Sequence, residues 1–176
     1  MKILVVGTWR PEKAKKYETQ AYEIGKTLAQ RNHTLLASPS EGIQGLVAKA
    51  YKENGGKEFI GYYPSTFLME EVGEKVLVEP DSKILTEEDY PVRNVYQVRA
   101  ADAILGISGA SGTFMEMLLA VNDYQLPAAY YEGSSWEIDN WLKTDKLFQE
   151  KVYEGKNVLE LITYLESSFR YLKSSF

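Results

Sequence analysis

The stretch from Ala101 to Tyr131, ADAILGISGASGTFMEMLLAVNDYQLPAAYY, constrains the fold more than any other part of the chain. Ala103 to Ile107 is an apolar run with the length and composition of a buried strand. It enters a turn of small residues, Ser108-Gly109-Ala110-Ser111-Gly112-Thr113. Apolar positions Phe114, Met117, Leu118 and Val121 then recur at helical spacing. Pro127 opens a second apolar run, Ala128 to Tyr131. Strand, turn, helix and strand in that order predict a βαβ unit with parallel strands.

Two readings of the turn fit its composition. Gly and Ser can serve only to turn the chain tightly and cap the helix. Alternatively, the free N–H groups of the helix start take up an anion or a polar ligand group. Glu116 is expected in the first turn of that helix. Helical side chains lean toward the N-terminus, so its carboxylate would overhang the turn. There, too, a plain role exists: an acid near a helix start complements the dipole.

The rest of the chain repeats the alternation. Ile3 to Gly7 reads as a central strand and Thr8-Trp9-Arg10-Pro11 as a loop. A helix is expected over residues 12–30, a strand over 34–37, a turn at Ser38 to Gly42 and a helix over 43–53 ended by Asn54-Gly55-Gly56. A third strand covers residues 59–63. Residues 65–90 read as a surface excursion with a short strand near 76–78, followed by a helix over 92–100. Trp136 to Leu142 reads as helical, and the last helix carries Val158, Leu161, Ile162, Leu165, Phe169 and Leu172 on one face. The pattern predicts a single α/β domain over residues 1–176: a doubly wound, Rossmann-like three-layer sandwich with a mostly parallel sheet of order 3-2-1-4-5. Ligands bind such sheets where the strand order reverses, which would bring Gly7-Thr8-Trp9 beside Ser108 to Thr113.

Composition removes several classes of chemistry. The 176 residues carry a net charge of −5 with no basic run, which argues against nucleic acid as a partner. There is no cysteine and one histidine, His33, placed where a helix should end. That leaves no Cys–His dyad and no expected zinc site or other metal. No cofactor signature appears, and no apolar run has membrane-spanning length, so a cytoplasmic protein is expected.

Spaced matches then point to a family. The chain resembles the LONELY GUY (LOG) proteins, once labelled possible lysine decarboxylases, over roughly residues 2–132. Their motif has the form PGGxGTxxE after a strand that starts near Ala-Asp; here Ala101-Asp102 precedes Ser108 to Glu116. The family's Arg nine residues before that Asp corresponds to Arg93. Gly7-Thr8, Tyr17, Gly25, Gly42-Ile43-Gln44-Gly45 and Gly55-Gly56 follow the family's N-terminal layout. The segment from Ser111 to Tyr131 is also similar to nucleoside 2-deoxyribosyltransferases, which place SGTxxE before a helix. Two departures stand out. Ser38-Pro39-Ser40 replaces a glycine triplet that cradles phosphate, and Ala110 replaces the second Gly of the motif.

The resemblance implies an enzyme that hydrolyses the N-glycosidic bond of a nucleoside or nucleoside 5′-monophosphate. Glu116 would be its catalytic carboxylate and Arg93 a cation that orients ribose or phosphate. Gly7, Thr8, Trp9, Ser38, Ser40, Gly42, Ser108, Gly109, Ala110, Ser111, Gly112 and Thr113 would bind the ligand. Trp9, after the first strand, is the aromatic residue expected to stack on a base. The resemblance also implies a homodimer or larger assembly. Because of the two departures, phosphate contact is expected to be weaker than in the family. A non-catalytic nucleotide-binding or sensing module and a deoxyribosyltransferase-like enzyme remain alternatives.

Overall fold

The computed structural model describes residues 1–174. Strand β1 (Lys2–Gly7) is followed by a short helix α1 (Pro11–Ala14), a 3₁₀ turn (Lys15–Tyr17) and α2 (Glu18–Gln30). The single helix expected over 12–30 is thus broken at Tyr17 and starts at Pro11, whose fixed φ suits a first helical position. Next come β2 (Thr34–Ala37), α3 (Ile43–Glu53), β3 (Phe59–Tyr63), α4 (Thr66–Val72), β4 (Ser82–Leu85) and α5 (Tyr90–Arg99). The Asp89 carboxylate caps α5 by accepting from the Val92 N–H at 3.0 Å, which sets its start two residues earlier than expected. Then follow β5 (Ala103–Ile107), α6 (Ser111–Leu118) with a π turn at Leu119–Asp123, and β6 (Ala128–Tyr131). The chain continues through α7 (Trp136–Thr144), α8 (Lys146–Lys151), β7 (Val152–Gly155) and α9 (Val158–Ser174).

All strands pair in parallel, in the order β4-β3-β2-β1-β5-β6-β7. The five inner strands follow the expected order, and β4 and β7 extend the sheet at its two edges. β4 lies at 82–85 rather than near 76–78, and all four of its residues are exposed, so no alternation of polar and apolar residues announces it.

Strand residues alternate between two cores, as a period of two requires. Ile3 and Val5 pack with α2, α3 and α9 on one face; Leu4 and Val6 pack with α5, α6 and the α7–α8 pair on the other. His33 is buried at the end of α2, and its Nε2 lies 2.8 Å from Glu166 Oε1 on α9. It ties the C-terminal helix to the junction of α2 and β2.

Helices α2 and α3 touch at Gly25. A Cβ there would lie 2.3 Å from the Val47 carbonyl oxygen and 2.8 Å from Ala50 Cβ. The close approach therefore requires glycine. Gly25→Ala is expected to destabilise the protein by about 1–3 kcal/mol, the usual range for overpacking, seen as a lower urea midpoint. An unchanged midpoint would show that the two helices separate without cost.

Candidate functional site

The order of strands reverses at β1, which pairs with β2 on one side and β5 on the other. A cavity of about 480 Å³ opens at the C-terminal ends of these strands. The loop after β1 supplies Gly7, Thr8, Trp9 and Arg10, and α1 adds Lys13. The turn after β5 supplies Gly109 to Thr113, and α6 adds Glu116. Ser38 lines it from the β2 side, and Arg93 and Asn94 from α5. Arg93 and Glu116 thus border one cavity.

The turn after β5 is shaped by two residues of positive φ. Ser108 (φ 59°) is held there by Ser134, whose Oγ accepts from the Ser108 N–H at 2.8 Å and donates to the Tyr131 carbonyl at 2.6 Å. A left-handed non-glycine residue costs about 1–2 kcal/mol, which this anchor offsets. Gly109 (φ 104°) must be glycine twice over, because a Cβ would also meet Thr113 Oγ1 at 2.1 Å. Ala110, by contrast, has φ −144°, so the position of the replaced glycine does not require the left-handed region. No side chain caps α6. The N–H groups of Ser111, Gly112 and Thr113 therefore line the cavity without an intrahelical acceptor.

Glu116 sits in the second turn of α6, not the first. It reaches the cavity as a buried side chain, only 4 % exposed, rather than by overhanging the turn. Burial pushes its carboxyl up to about 7, against the pull of Arg93 and of its hydrogen bond with Gln97. Arg93 is 5 % exposed. It donates from Nη1 to Ser38 Oγ and, at 3.0 Å, to the Tyr62 carbonyl, while its Nε is buried without a partner. Burial works against its charge, and Glu116 and Glu74 work for it. Tyr90 lies against the Arg93 guanidinium and donates to Glu74 Oε2 at 2.6 Å.

Three expected ligand-binding residues do not line the cavity. Ser40 is wholly buried and bonded to Gln44, and Ser108 is buried behind the turn it shapes. Gly42 lies under the β1 loop; a Cβ there would sit 2.0 Å from the Thr8 carbonyl oxygen. That same carbonyl accepts the Ile43 N–H at 2.8 Å, which closes the start of α3. Ser38 is present, but its hydroxyl is committed to Arg93 and Gln97.

Sequence reasoning missed Arg10, Lys13, Gln44, Val72, Glu74, Tyr90 and Asn94 in the lining, and Gln97 behind it. One signal was available. On α5, Tyr90, Arg93, Asn94 and Gln97 follow the i, i+3, i+4, i+7 spacing of a single helical face. The last three are buried, while Val92, Val95 and Tyr96 are exposed. Polar in and apolar out is the reverse of an ordinary surface helix.

Comparison with known proteins agrees with the architecture. Among solved structures, the structural-genomics target TM1055 superposes with a TM-score of 0.77 at 23% identity, over 94% of this chain and 98% of that one. The molybdenum cofactor carrier protein of Chlamydomonas reinhardtii superposes with a TM-score of 0.76 at 21% identity, over 94% and 95%. At such identities the likeness concerns the fold alone. A curated rice protein (Oryza sativa subsp. japonica), the probable cytokinin riboside 5′-monophosphate phosphoribohydrolase LOG4, is 33% identical over 141 residues, 79% of this chain and 59% of that protein. The chain spans about half the length of the curated relatives it matches. A family model, the SLOG cluster4 family, matches residues 1–161. With that match over nearly its whole length, and with relatives among the LOG phosphoribohydrolases, the chain belongs to the SLOG cluster4 family.

Proposed function

We propose that the chain is a nucleotide-binding hydrolase that cleaves the N-glycosidic bond of a nucleoside 5′-monophosphate in the cavity between β1 and β5. The observation that carries this reading is the buried Glu116 carboxylate beside an uncapped helix start. The phosphate would lie on the Ser111, Gly112 and Thr113 amides, where an anion gains from both free N–H groups and the helix dipole. At the start of α3 the Thr8 carbonyl already takes the Ile43 N–H, so the phosphate is assigned to the start of α6. Trp9, half exposed at the cavity edge with Arg10 over its ring, offers a stacking face for the base.

In the reaction, the bond between the anomeric carbon and the base nitrogen breaks and its electron pair leaves with the base. Positive charge develops on the ribose. Ionised Glu116 stabilises that charge, and burial makes the interaction stronger than it would be in water. Water then adds to the anomeric carbon, and the proton it loses balances the one gained by the departing base. Arg93, fixed by Ser38 and the Tyr62 carbonyl, presents a cation toward the sugar side of the ligand. The curated relatives carry the name of this reaction class, cytokinin riboside 5′-monophosphate phosphoribohydrolase, which supports the reading. The assembly supporting it would be a homodimer or larger, acting on a small molecule.

The decisive assay is release of free base from a panel of nucleosides and nucleoside monophosphates. Glu116→Gln is expected to lower that release by about 100-fold or more, as removal of a transition-state electrostatic partner does, while calorimetric binding stays near wild type. Equal release by both proteins would remove Glu116 from the mechanism. Binding without release by either would instead favour a sensing or carrier module.

Protonation supplies a second expectation. Folding raises the Glu116 carboxyl from 4.5 to about 7, so the folded state holds the proton more tightly than the unfolded chain. Stability attached to this group is therefore full below pH 4.5 and is lost as pH rises through about 7. Urea unfolding at about pH 5 and about pH 8 should show a loss on the order of a few kcal/mol in the wild type that Glu116→Gln lacks. Parallel pH dependence in the two proteins would contradict the buried, proton-retaining carboxylate. Base release should rise over the same window as Glu116 ionises.

A further inference from the structure

Gln97 has no exposed surface and does not line the cavity, yet it touches the one carboxylate on which the proposed chemistry depends. We propose that Gln97 and Ser38 are positioning residues, forming a hydrogen-bonded relay from Arg93 that fixes the orientation of the Gln97 amide and holds Glu116 as an acceptor. The inference rests on the reading of Glu116 as the catalytic carboxylate.

The direction of the relay follows from what each group can donate. Arg93 only donates, so its bond to Ser38 Oγ occupies a lone pair of that oxygen. The Ser38 hydrogen must then go elsewhere. Gln97 Oε1, at 3.4 Å, is the acceptor within reach. With its oxygen taken, the Gln97 amide presents its NH₂ group to Glu116 Oε1 and, at 3.5 Å, to Asn94 Oδ1. An NH₂ group aimed at a carboxyl oxygen stabilises the ionised form and offers no acceptor to the protonated one. Ser38 and Gln97 thus transmit the fixed donor character of the Arg93 guanidinium to a carboxylate it does not bond directly.

Other charged groups do not supply this orientation. Arg93 is the cation acting on Glu116, while Glu74 and Tyr90 act on Arg93. The relay also explains why the serine at 38, although it lines the cavity, is buried among polar partners. Its hydroxyl is spent within the protein. Gln97 itself stands where a purely apolar α5 face would put an aliphatic side chain, and the burial of its amide is compensated by Glu116, Ser38 and Asn94.

The test is a carboxyl carbon titration of protein labelled at glutamate, with the Glu116 signal assigned by its loss in Glu116→Gln. It is read for wild type, Gln97→Leu, Ser38→Ala and Ser38→Thr. The Glu116 midpoint should rise by roughly one pH unit in Gln97→Leu, the size expected for losing a hydrogen bond to a charged group. It should rise less in Ser38→Ala, where the amide becomes free to turn over, and return to the wild-type value in Ser38→Thr, which restores the hydroxyl. An unchanged midpoint in both Gln97→Leu and Ser38→Ala overturns the proposal. If Gln97→Leu does not fold, the Ser38 pair decides alone. The acid limb of base release should move with the midpoints. Absence of base release from the wild type would defeat the glycosidase reading, while the titration would still decide the relay.

Discussion

Arg93 and Glu116 are opposite charges withdrawn from water at the carboxyl end of the central strands, and the rest of the site is arranged around that withdrawal. Removing such charges from solvent costs several kcal/mol each unless partners replace the water. Here the partners are the Tyr62 carbonyl, Ser38, Gln97 and the charges themselves. They come from β3, from the end of β2, from α5 and from α6, so the site holds these elements in register as much as they hold the site. The unpartnered Nε of Arg93 is the place where that compensation is incomplete.

The two helix starts that meet at the switch point have opposite fates. At the start of α3 the Thr8 carbonyl takes the Ile43 N–H, and Gly42 is needed for that close approach. The start of α6 stays open, because Ala110 brings no capping oxygen and Gly109 clears space for Thr113. Replacement of a glycine triplet by Ser38-Pro39-Ser40 does not convert a backbone cradle into a hydroxyl cradle. Instead the Ser38 hydroxyl bonds to Arg93 and Gln97, and the Ser40 N–H is satisfied by the Ser38 carbonyl at 2.9 Å.

Much of this was legible in the sequence, for physical reasons that also mark where legibility stops. Ile3 to Gly7 and Ala103 to Ile107 are buried on both sides, so their continuous apolar runs identify them as central parallel strands. β4 and β7 are edge strands of only four residues, β4 wholly exposed and β7 with a single buried residue, so neither carries an apolar run long enough to announce a strand. Arg93 and Glu116 were reached through the resemblance to the LOG motif around Asp102, and the cavity brings both to its wall. Ser40, Gly42 and Ser108 sit in the turns that motif reasoning marks, but they serve the backbone beneath the ligand space. Gln97, Asn94 and Tyr90 escaped because an inward polar face looks like an ordinary surface helix until one knows which side meets the sheet. The exposed Val92, Val95 and Tyr96 were the clue that the face is inverted.

The account turns on where a nucleotide lies relative to Glu116. A crystal structure of Glu116→Gln with adenosine 5′-monophosphate measures this directly, because the variant should bind without turning over. The phosphate is expected on the Ser111 to Thr113 amides, the base against Trp9, and the anomeric carbon within about 3.5 Å of the residue 116 side chain, as a reacting geometry requires. A nucleotide held with its phosphate at Arg10 and Lys13 and its sugar turned away from residue 116 would contradict the account.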